Sequence, residues 1–300
     1  MILVSLIGEQ PIPNLLPVRY LNPEQTLLVY TSKTRSVAQR LRRIISNSDN
    51  LRADIQVDAY DLDRILSVLR AGLADQKDVM FNLTGGTKMM VIAAFALAAQ
   101  TAQPLVYLQS EGRKSLLYRY AFQQGLPTLE AKEEIPPVIT AAEYLRAHLP
   151  GFIEEGFSRD KQGALTEGGC FEKAVYSALK SRFDEVLAGV RPQGVGDQIE
   201  IDLVIRCGNQ VGIAEVKLGG GESPKRGLDQ LKMAGEPTYL GTYTIQFLIV
   251  AQPRLQKDLA ILARERNIEF IPLPDYRAGL PLIKTDAEKL ANTSHKNLCN

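Results

Sequence analysis

Apolar positions in the first 125 residues alternate between short runs and helically spaced stripes. The short runs predict four strands, at residues 2–7, 27–31, 54–57 and 78–83. Apolar residues at helical spacing predict three helices, around residues 37–45, 62–69 and 87–101. Two further runs predict an antiparallel hairpin, at residues 104–109 and 115–120. This alternation of strand and helix predicts a doubly wound, Rossmann-like α/β domain over residues 1–125.

The pattern weakens between residues 126 and 150, where prolines and Gly125 interrupt it, and this segment is predicted to be a linker. A second α/β domain is predicted over residues 151–285. Its strands are expected near residues 185–191, 199–206, 211–218, 244–250 and 269–271. Its helices are expected near residues 168–183, 225–233 and 253–266. The polar tail, residues 286–300, is predicted to be disordered.

Composition narrows the class of protein. The 300 residues are 45% apolar and 23% charged, as in soluble globular proteins. The net charge of +1 excludes a global basic field, so contact with nucleic acid would need a local patch. The opening residues do not resemble a signal peptide, and the apolar run at residues 89–99 is too short to span a bilayer. We expect a cytoplasmic protein without a membrane segment.

The cysteines also favour a cytoplasmic protein. Cys170, Cys207 and Cys299 show no CxxC spacing and predict neither a disulfide framework nor a structural zinc site. A reducing compartment is therefore the expectation.

Two predicted consecutive strands carry the first candidate for chemistry. Asp202 lies inside an otherwise apolar strand, where an unpaired carboxylate is costly unless it binds something. The next strand ends in Glu215, Val216 and Lys217, and Glu215 shares a face with Lys217 because side chains alternate along a strand. Two carboxylates and an ammonium on one sheet surface predict a site for a divalent cation and an activated water. The simpler alternative is a structural salt bridge between Asp202 and Lys217 in a catalytically inactive domain.

The predicted order of helix, three strands, helix and strand resembles the restriction-endonuclease-like PD-(D/E)xK superfamily. Asp202 stands at its first motif position and Glu215-Val216-Lys217 at the (D/E)xK, although Ile201 replaces the expected proline. The resemblance implies Mg²⁺ or Mn²⁺ held by Glu172, Asp202 and Glu215, with Lys217 orienting the attacking water. It also implies a role near the metal for Gln230, and Lys225 and Arg226 could hold the nucleic-acid backbone.

A loop after the fourth predicted strand is the second candidate. Thr84-Gly85-Gly86-Thr87-Lys88 joins that strand directly to a helix. Glycines allow close approach of backbone N–H groups, and a helix N-terminus favours an anion. The loop is neither a Walker A motif nor GxGxxG. Two other polar loops, residues 8–14 and 31–35, also follow strand ends, where ligands of open α/β sheets bind. The three loops predict a site for nucleotide phosphates, and ordinary caps and turns are the alternative.

The Asn82-to-Met90 stretch, followed by a (D/E)xK domain, resembles the CARF-domain ancillary nucleases of type III CRISPR systems that carry a DUF1887-like nuclease domain. The resemblance implies a homodimer that binds a cyclic oligoadenylate, expected to be cyclic tetra-adenylate, and then cleaves DNA or RNA in antiviral defence. It implies contacts to the phosphates and riboses from the loop residues Thr84, Gly85, Gly86, Thr87 and Lys88. It implies that the rest of the cradle contains Gly8, Gln10, Pro13, Asn14, Ser32 and Thr34.

Two other functions stay open at this point. The chain could be a ligand-sensing regulator that binds nucleic acid through an inactive second domain. It could also be a ring nuclease whose first domain cleaves the cyclic ligand without a metal. The sequence does not decide between DNA and RNA or between Mg²⁺ and Mn²⁺. Neither His148 nor His295 stands where a general base is needed.

Overall fold

The computed structural model describes residues 1–45, 53–74, 76–194, 199–220, 223–236, 239–241 and 243–299. They form two compact units, Met1–Ile139 with Arg146–His148 and Thr140–Leu145 with Leu149–Asn300. Within the described residues, no helix is long and apolar enough to cross a membrane.

The first unit is a seven-stranded sheet with helices. Its strands are β1 (Ile2–Leu6), β2 (Gln25–Tyr30), β3 (Ile55–Gln56), β4 (Val79–Asn82), β5 (Leu105–Glu111), β6 (Lys114–Gln123) and β7 (Leu126–Glu134). Its helices are α1 (Ile12–Leu21), α2 (Arg35–Ile45), α3 (Leu62–Gly72) and α4 (Lys88–Thr101). A further helix, α5 (Ala141–His148), contributes residues to both units.

The strand order of the first sheet is β3-β2-β1-β4-β5-β6-β7. The first five strands are parallel, and β6 and β7 are antiparallel to their neighbours. The chain moves outward in one direction from β1 to β3 and then returns to place β4 on the other side of β1. Val4 accordingly pairs with Leu27 of β2 on one side and with Phe81 of β4 on the other. The switch point of this open α/β sheet therefore lies between β1 and β4.

The second unit contains a six-stranded mixed sheet. Its strands are β8 (Gly151–Glu154), β9 (Glu185–Gln193), β10 (Ile201–Cys207), β11 (Gln210–Lys217), β12 (Ile245–Val250) and β13 (Ile268–Pro272). Its helices are α6 (Glu167–Lys180), α7 (Ser223–Ala234), α8 (Lys257–Glu265) and α9 (Lys284–Leu298). The order is β13-β12-β11-β10-β9-β8, antiparallel from β8 to β11 and parallel from β11 to β13.

The predicted linker, residues 126–150, is wrong in its first part. Residues 126–134 form β7, which pairs along its length with β6 and extends the first sheet. Most of its side chains are exposed, because β7 is an edge strand. Its polar composition therefore resembles that of a linker.

The predicted disordered tail, residues 286–300, is also wrong for the described residues up to 299. They belong mainly to α9, whose Leu290 and Leu298 are fully buried in the core of the second unit. The same helix brings Cys299 to Cys207 at the end of β10, where the two form a disulfide. The expectation of no disulfide fails because the two cysteines are 92 residues apart, a separation from which no pairing can be predicted.

Candidate functional sites

The β10–β11 hairpin brings the predicted acid and (D/E)xK side chains together. Leu203 pairs with Ala214, and this register sets Asp202 beside the end of β11. The Lys217 ammonium lies 3.1 Å from Asp202 Oδ2 and 2.6 Å from Glu215 Oε2. The Val216 backbone N–H also donates to Asp202 Oδ2, at 2.7 Å. Asp202 is thus fixed by one side chain and one backbone group of the neighbouring strand.

Glu172 on α6 is the third acid of the predicted set, and it is 6% exposed. Ser158 holds both of its oxygens: the Ser158 backbone N–H donates to Oε2 at 2.9 Å and the Ser158 hydroxyl to Oε1 at 2.7 Å. A Cβ on Gly169 would lie 2.0 Å from the Ser158 carbonyl oxygen, so glycine at 169 lets α6 approach this loop. Sequence reasoning missed Ser158, because it lies in no motif.

The cluster carries more negative than positive charge. Burial, and then the charge of Asp202, raise the pKa values of Glu172 and Glu215 above the ordinary range. Burial opposes the charge of Lys217, but Glu215 and Asp202 outweigh it and raise the pKa of the ammonium. Glu215 Oε2 is buried and, apart from its ion pair, accepts no hydrogen bond from the described residues. Two carboxylates therefore contact one ammonium, and a third, Glu172, adds negative charge nearby.

Whether these residues fit a metal ion is decided by their chemistry. In the part of the chain that the structure describes, no three acidic, histidine or cysteine side chains form a ready metal-binding group. Carboxylate oxygens are nevertheless the donors that Mg²⁺ and Mn²⁺ prefer. The buried Glu215 Oε2 has unused acceptor capacity, and the excess negative charge favours a second cation. The donor set fits a divalent cation.

A pocket of about 440 Å³ adjoins the ammonium, and Lys217, Ser223, Arg226 and Gln230 line it. Three of these residues lie on α7, so the structure places the predicted Gln230 beside Lys217. Gly227 allows α7 to pack closely here, since a Cβ at that position would lie 2.7 Å from the Leu248 side chain and 3.4 Å from Lys217. The pocket can admit a ligand to the edge of the acid cluster, with Arg226 available for an anion.

In the first unit, the loops after β1 and β4 meet at the switch point of the sheet. A Cβ on Gly85 would lie 2.3 Å from the Leu6 carbonyl oxygen and 3.1 Å from the Gly8 nitrogen. A Cβ on Gly8 would lie 3.3 Å from the Gly86 nitrogen, and Gly86 itself has a φ of 81°. The glycines thus let two backbone segments approach each other where α4 begins. Backbone N–H groups at such a place form a cradle for an anion.

The two threonine hydroxyls of the Thr84–Lys88 loop have partners inside the protein. Thr84 Oγ1 donates to Asn82 Oδ1 at 2.6 Å and accepts from the Leu108 backbone N–H at 2.8 Å. Thr87 Oγ1 accepts from the Met90 N–H at 3.2 Å, as the N-cap of α4, and donates to the Ala59 carbonyl at 2.7 Å. These hydroxyls fix the loop.

Lys88 differs from the threonines, because it is exposed and forms no ion pair with the described residues. It is the residue of this loop whose charge is available to an anion.

Residues 8–14, predicted as one loop, become helical at Ile12, where α1 begins. Pro13 and Asn14 therefore lie in a first helical turn, a position that proline favours. Asn14 is 1% exposed, and its Nδ2 has no hydrogen-bond partner among the described residues. Gln10 Oε1 is also buried without a hydrogen-bond partner among the described residues. Two polar atoms beside the cradle thus have unused bonding capacity.

The loop after β2 is the third predicted loop at the carboxyl edge of the first sheet. Thr34 is buried, and its hydroxyl accepts from the Thr31 N–H at 3.0 Å, so it stabilises the turn. Ser32 is exposed. Lys33 pairs with Glu9 at 2.6 Å, which connects this loop to the one after β1.

The similarity of the first unit to known proteins follows from a family comparison. Residues 2–144 match the Card1 CARF domain family. The first unit is therefore similar to a CARF domain, and the glycine cradle lies at the carboxyl edge of its sheet. No curated protein matches the chain.

Solved structures show the same fold over the whole chain. Can2 from Sulfobacillus thermosulfidooxidans, in complex with cyclic tetra-adenylate, has a TM-score of 0.76 at 16% identity and covers 100% of this chain and 99% of its own. Protein VC1899 from Vibrio cholerae has a TM-score of 0.72 at 13% identity, with 99% and 97% covered. A type III CRISPR defence DNA nuclease activated by cyclic oligoadenylate has a TM-score of 0.67 at 16% identity, with 97% and 51% covered. At these identities the likeness concerns the fold.

Proposed function

We propose that the protein is a metal-dependent endonuclease that a cyclic oligoadenylate activates during type III CRISPR antiviral defence. The observation that carries the proposal is the buried Asp202–Glu215–Lys217 cluster beside a pocket, in a chain whose first unit matches a CARF family. The fold likeness to Can2 bound to cyclic tetra-adenylate and to a cyclic-oligoadenylate-activated DNA nuclease supports it.

In the second unit, which we propose to be a PD-(D/E)xK nuclease, Asp202, Glu215 and Glu172 would hold Mn²⁺ or Mg²⁺. A bound ion of this kind lowers the pKa of water and neutralises phosphate charge. Lys217 donates a hydrogen bond from the cluster's edge to the attacking water or to a phosphate oxygen, and the neighbouring carboxylates keep it protonated. Arg226 and Gln230 position the scissile backbone in the pocket.

In the first unit, the proposed activator is cyclic tetra-adenylate. Gly85, Gly86 and Gly8 present backbone N–H groups to its phosphates, and Lys88 adds a positive charge. Thr84 and Thr87 of the same loop would also contact phosphate and ribose. The rest of the cradle and the cover would come from the neighbouring loops, with Gln10, Pro13, Asn14, Ser32 and Thr34. We propose a homodimer, because a ligand with two-fold symmetry binds two copies of one surface. Such a ligand shifts the population toward the dimer arrangement that binds it better.

The test uses the full chain with plasmid DNA, single-stranded DNA and RNA as substrates. Each is incubated with Mn²⁺ or Mg²⁺, with and without cyclic tri-, tetra- or hexa-adenylate, and with EDTA as a control. We expect cleavage that requires both the divalent ion and one cyclic oligoadenylate.

Two variants separate the halves of the proposal. Asp202→Asn should abolish cleavage and leave ligand affinity unchanged, whereas Lys88→Ala should weaken ligand binding and activation. Full metal-dependent cleavage by Asp202→Asn would overturn the catalytic assignment. Equal activity of Lys88→Ala with and without the ligand would overturn the sensing assignment.

One observation favours a second function, a ligand-sensing regulator that binds nucleic acid without cutting it. The Asp202–Lys217 ion pair at 3.1 Å is also what a structural salt bridge would show. Ligand-dependent retention of intact nucleic acid in the presence of Mn²⁺ would identify this function. Loss of the cyclic ligand itself in the EDTA arm would instead identify a ring nuclease.

A further inference from the structure

The side chain of Tyr60 is unusually open to solvent. It is 79% exposed, more than any other large hydrophobic side chain of the described residues. A single exposed aromatic ring is common on protein surfaces and needs no explanation by itself. Its position makes this one informative.

Tyr60 stands on a loop that is fixed from both sides. The loop connects β3 to α3, so it lies at the same carboxyl edge of the parallel sheet as the other candidate loops. Asp58 Oδ1 accepts from the Tyr60 N–H at 2.8 Å and from the Asp61 N–H at 3.0 Å, which closes a local turn. From the other side, Thr87 Oγ1 donates to the Ala59 carbonyl at 2.7 Å. The turn that carries Tyr60 is therefore hydrogen-bonded to Thr87, the N-cap residue of α4.

The loop that carries Tyr60 also lies beside the loop after β2. The Val57 N–H donates to the Tyr30 carbonyl at 2.9 Å. The Arg35 guanidinium donates to Gln56 Oε1 at 2.5 Å. Tyr60 thus stands on a loop that is hydrogen-bonded both to the segment after β2 and to Thr87 beside the glycine cradle. It is an aromatic surface at the border of a site that otherwise offers backbone N–H groups and ammonium groups.

Resting on the proposed function, we propose that Tyr60 stacks against an adenine of the cyclic oligoadenylate, and that Thr87 positions Tyr60 for this contact. The cradle and Lys88 supply partners for phosphates but none for the flat face of a base. Proteins that bind single-stranded nucleotides use aromatic side chains for that face, and each stacked base strengthens binding by roughly 5- to 150-fold. The Thr87 hydroxyl acts by holding the Ala59 carbonyl.

Equilibrium binding of cyclic tetra-adenylate to the full chain tests the stacking. Tyr60→Ala should raise the Kd by roughly tenfold or more, since about 1.4 kcal/mol corresponds to a factor of ten. Tyr60→Phe keeps the ring and should bind as the wild type does. Tyr243→Ala removes a ring that is 57% exposed in the second unit, and it is the matched control that should leave the Kd unchanged.

Each other outcome has one meaning. A wild-type chain that binds no cyclic oligoadenylate contradicts the proposed function itself. A wild-type chain that binds, with Tyr60→Ala binding equally well, overturns the stacking contact alone. Equal losses in Tyr60→Phe and Tyr60→Ala would assign the contact to the hydroxyl and overturn stacking. Unchanged thermal unfolding shows that each variant is folded.

A double-mutant cycle tests the positioning role of Thr87. Thr87→Ser keeps the donor and should bind normally, whereas Thr87→Val should lose affinity. Because Thr87→Val also removes the N-cap acceptor of α4, only the part of its effect that passes through Tyr60 should disappear. The loss of affinity caused by Thr87→Val should therefore be smaller in the Tyr60→Ala background than in the wild type. Equal losses in the two backgrounds would show that Thr87 acts independently of Tyr60.

Discussion

The two candidate sites differ in the atoms that build them. In the second unit, charged side chains form the site, and Asp202, Glu215 and Lys217 contact one another in a largely buried cluster. In the first unit, backbone segments form the site: Gly8 and Gly85 let them approach, and the threonine hydroxyls bond inside the protein. Deleting side-chain atoms should therefore damage the second site most, and adding an atom should damage the first.

The largest effect is expected from Lys217→Ala. It leaves Asp202 and Glu215 buried without their ammonium, and breaking a buried ion pair in this way costs about 3–5 kcal/mol. The two raised glutamate pKa values set the pH dependence, because protonation removes the unpaired charge, so the loss should shrink as pH falls. Denaturant unfolding of the metal-free chain measures it. Lys225→Ala, at an exposed position, is the control, and an equal effect of the two would contradict the picture of a side-chain cluster.

The matching change in the first unit is Gly85→Ala. The added Cβ would meet the Leu6 carbonyl oxygen at 2.3 Å, so the backbone must move, at a cost of about 1–3 kcal/mol. The affinity for cyclic tetra-adenylate should fall with the stability of the unit. Gly168→Ala is the control, because its Cβ would meet nothing closer than 3.7 Å and it lies in α6. If both variants unfold alike, the backbone cradle is not what Gly85 maintains.

A smaller effect is expected from Ser158→Ala. The variant removes the hydroxyl bond to Glu172 Oε1 but keeps the backbone bond to Oε2. Residues that orient metal ligands typically contribute 10–100-fold to metal affinity, and with one bond left we expect a loss of about tenfold for Mn²⁺. Titration calorimetry measures this affinity directly. Ser158→Thr should restore it, and unchanged affinity in Ser158→Ala would remove Glu172 from the metal site.

The smallest expected effect is a gain in stability, whereas the preceding variants lose stability or affinity. Glu215→Gln removes a carboxyl whose pKa burial has raised, so the folded metal-free chain no longer carries the cost of that charge. A carboxyl with a raised folded pKa destabilises the fold as pH rises above its unfolded value. The variant should therefore melt about 2–4 °C higher than the wild type near pH 8, which is ~1 kcal/mol for a domain of this size, with the gain vanishing toward about pH 4. The same variant should lose cleavage. A lower melting temperature in EDTA would show that the Glu215–Lys217 pair outweighs the burial.

The side-chain site was largely predictable, because the period of a strand sets Glu215 and Lys217 on one face whatever the tertiary structure. Asp202 stood out as a charge in an apolar run. Ser158 could not be predicted from the sequence. It lies 14 residues before Glu172, and its two hydrogen bonds to that acid depend on how its loop packs against α6. The same limit applies to Thr84 and Thr87, whose partners Leu108 and Ala59 come from other strands and loops.

Element boundaries failed where composition and packing disagree. The strand β7 and the helix α9 are both polar in composition, and local patterns assigned them to a linker and a disordered tail. β7 forms through pairing with β6 at the sheet edge. α9 forms because two leucines, Leu290 and Leu298, are buried in the core at a spacing that polar neighbours obscure. The strand β7 is thus ordered by the neighbouring strand of its hairpin, and α9 by core residues far along the chain.

Because α9 is buried in the core of the second unit, that core can be completed only late in synthesis of the chain. Leu298 packs where Gly212 of β11 leaves room, so the strand that carries Glu215 and Lys217 completes its core only with a helix made some eighty residues later. During synthesis on the ribosome, the core that supports the acid cluster can therefore be completed only after residues 284–298 have emerged. For an enzyme of the proposed kind, an incomplete chain would lack the finished core of its active site.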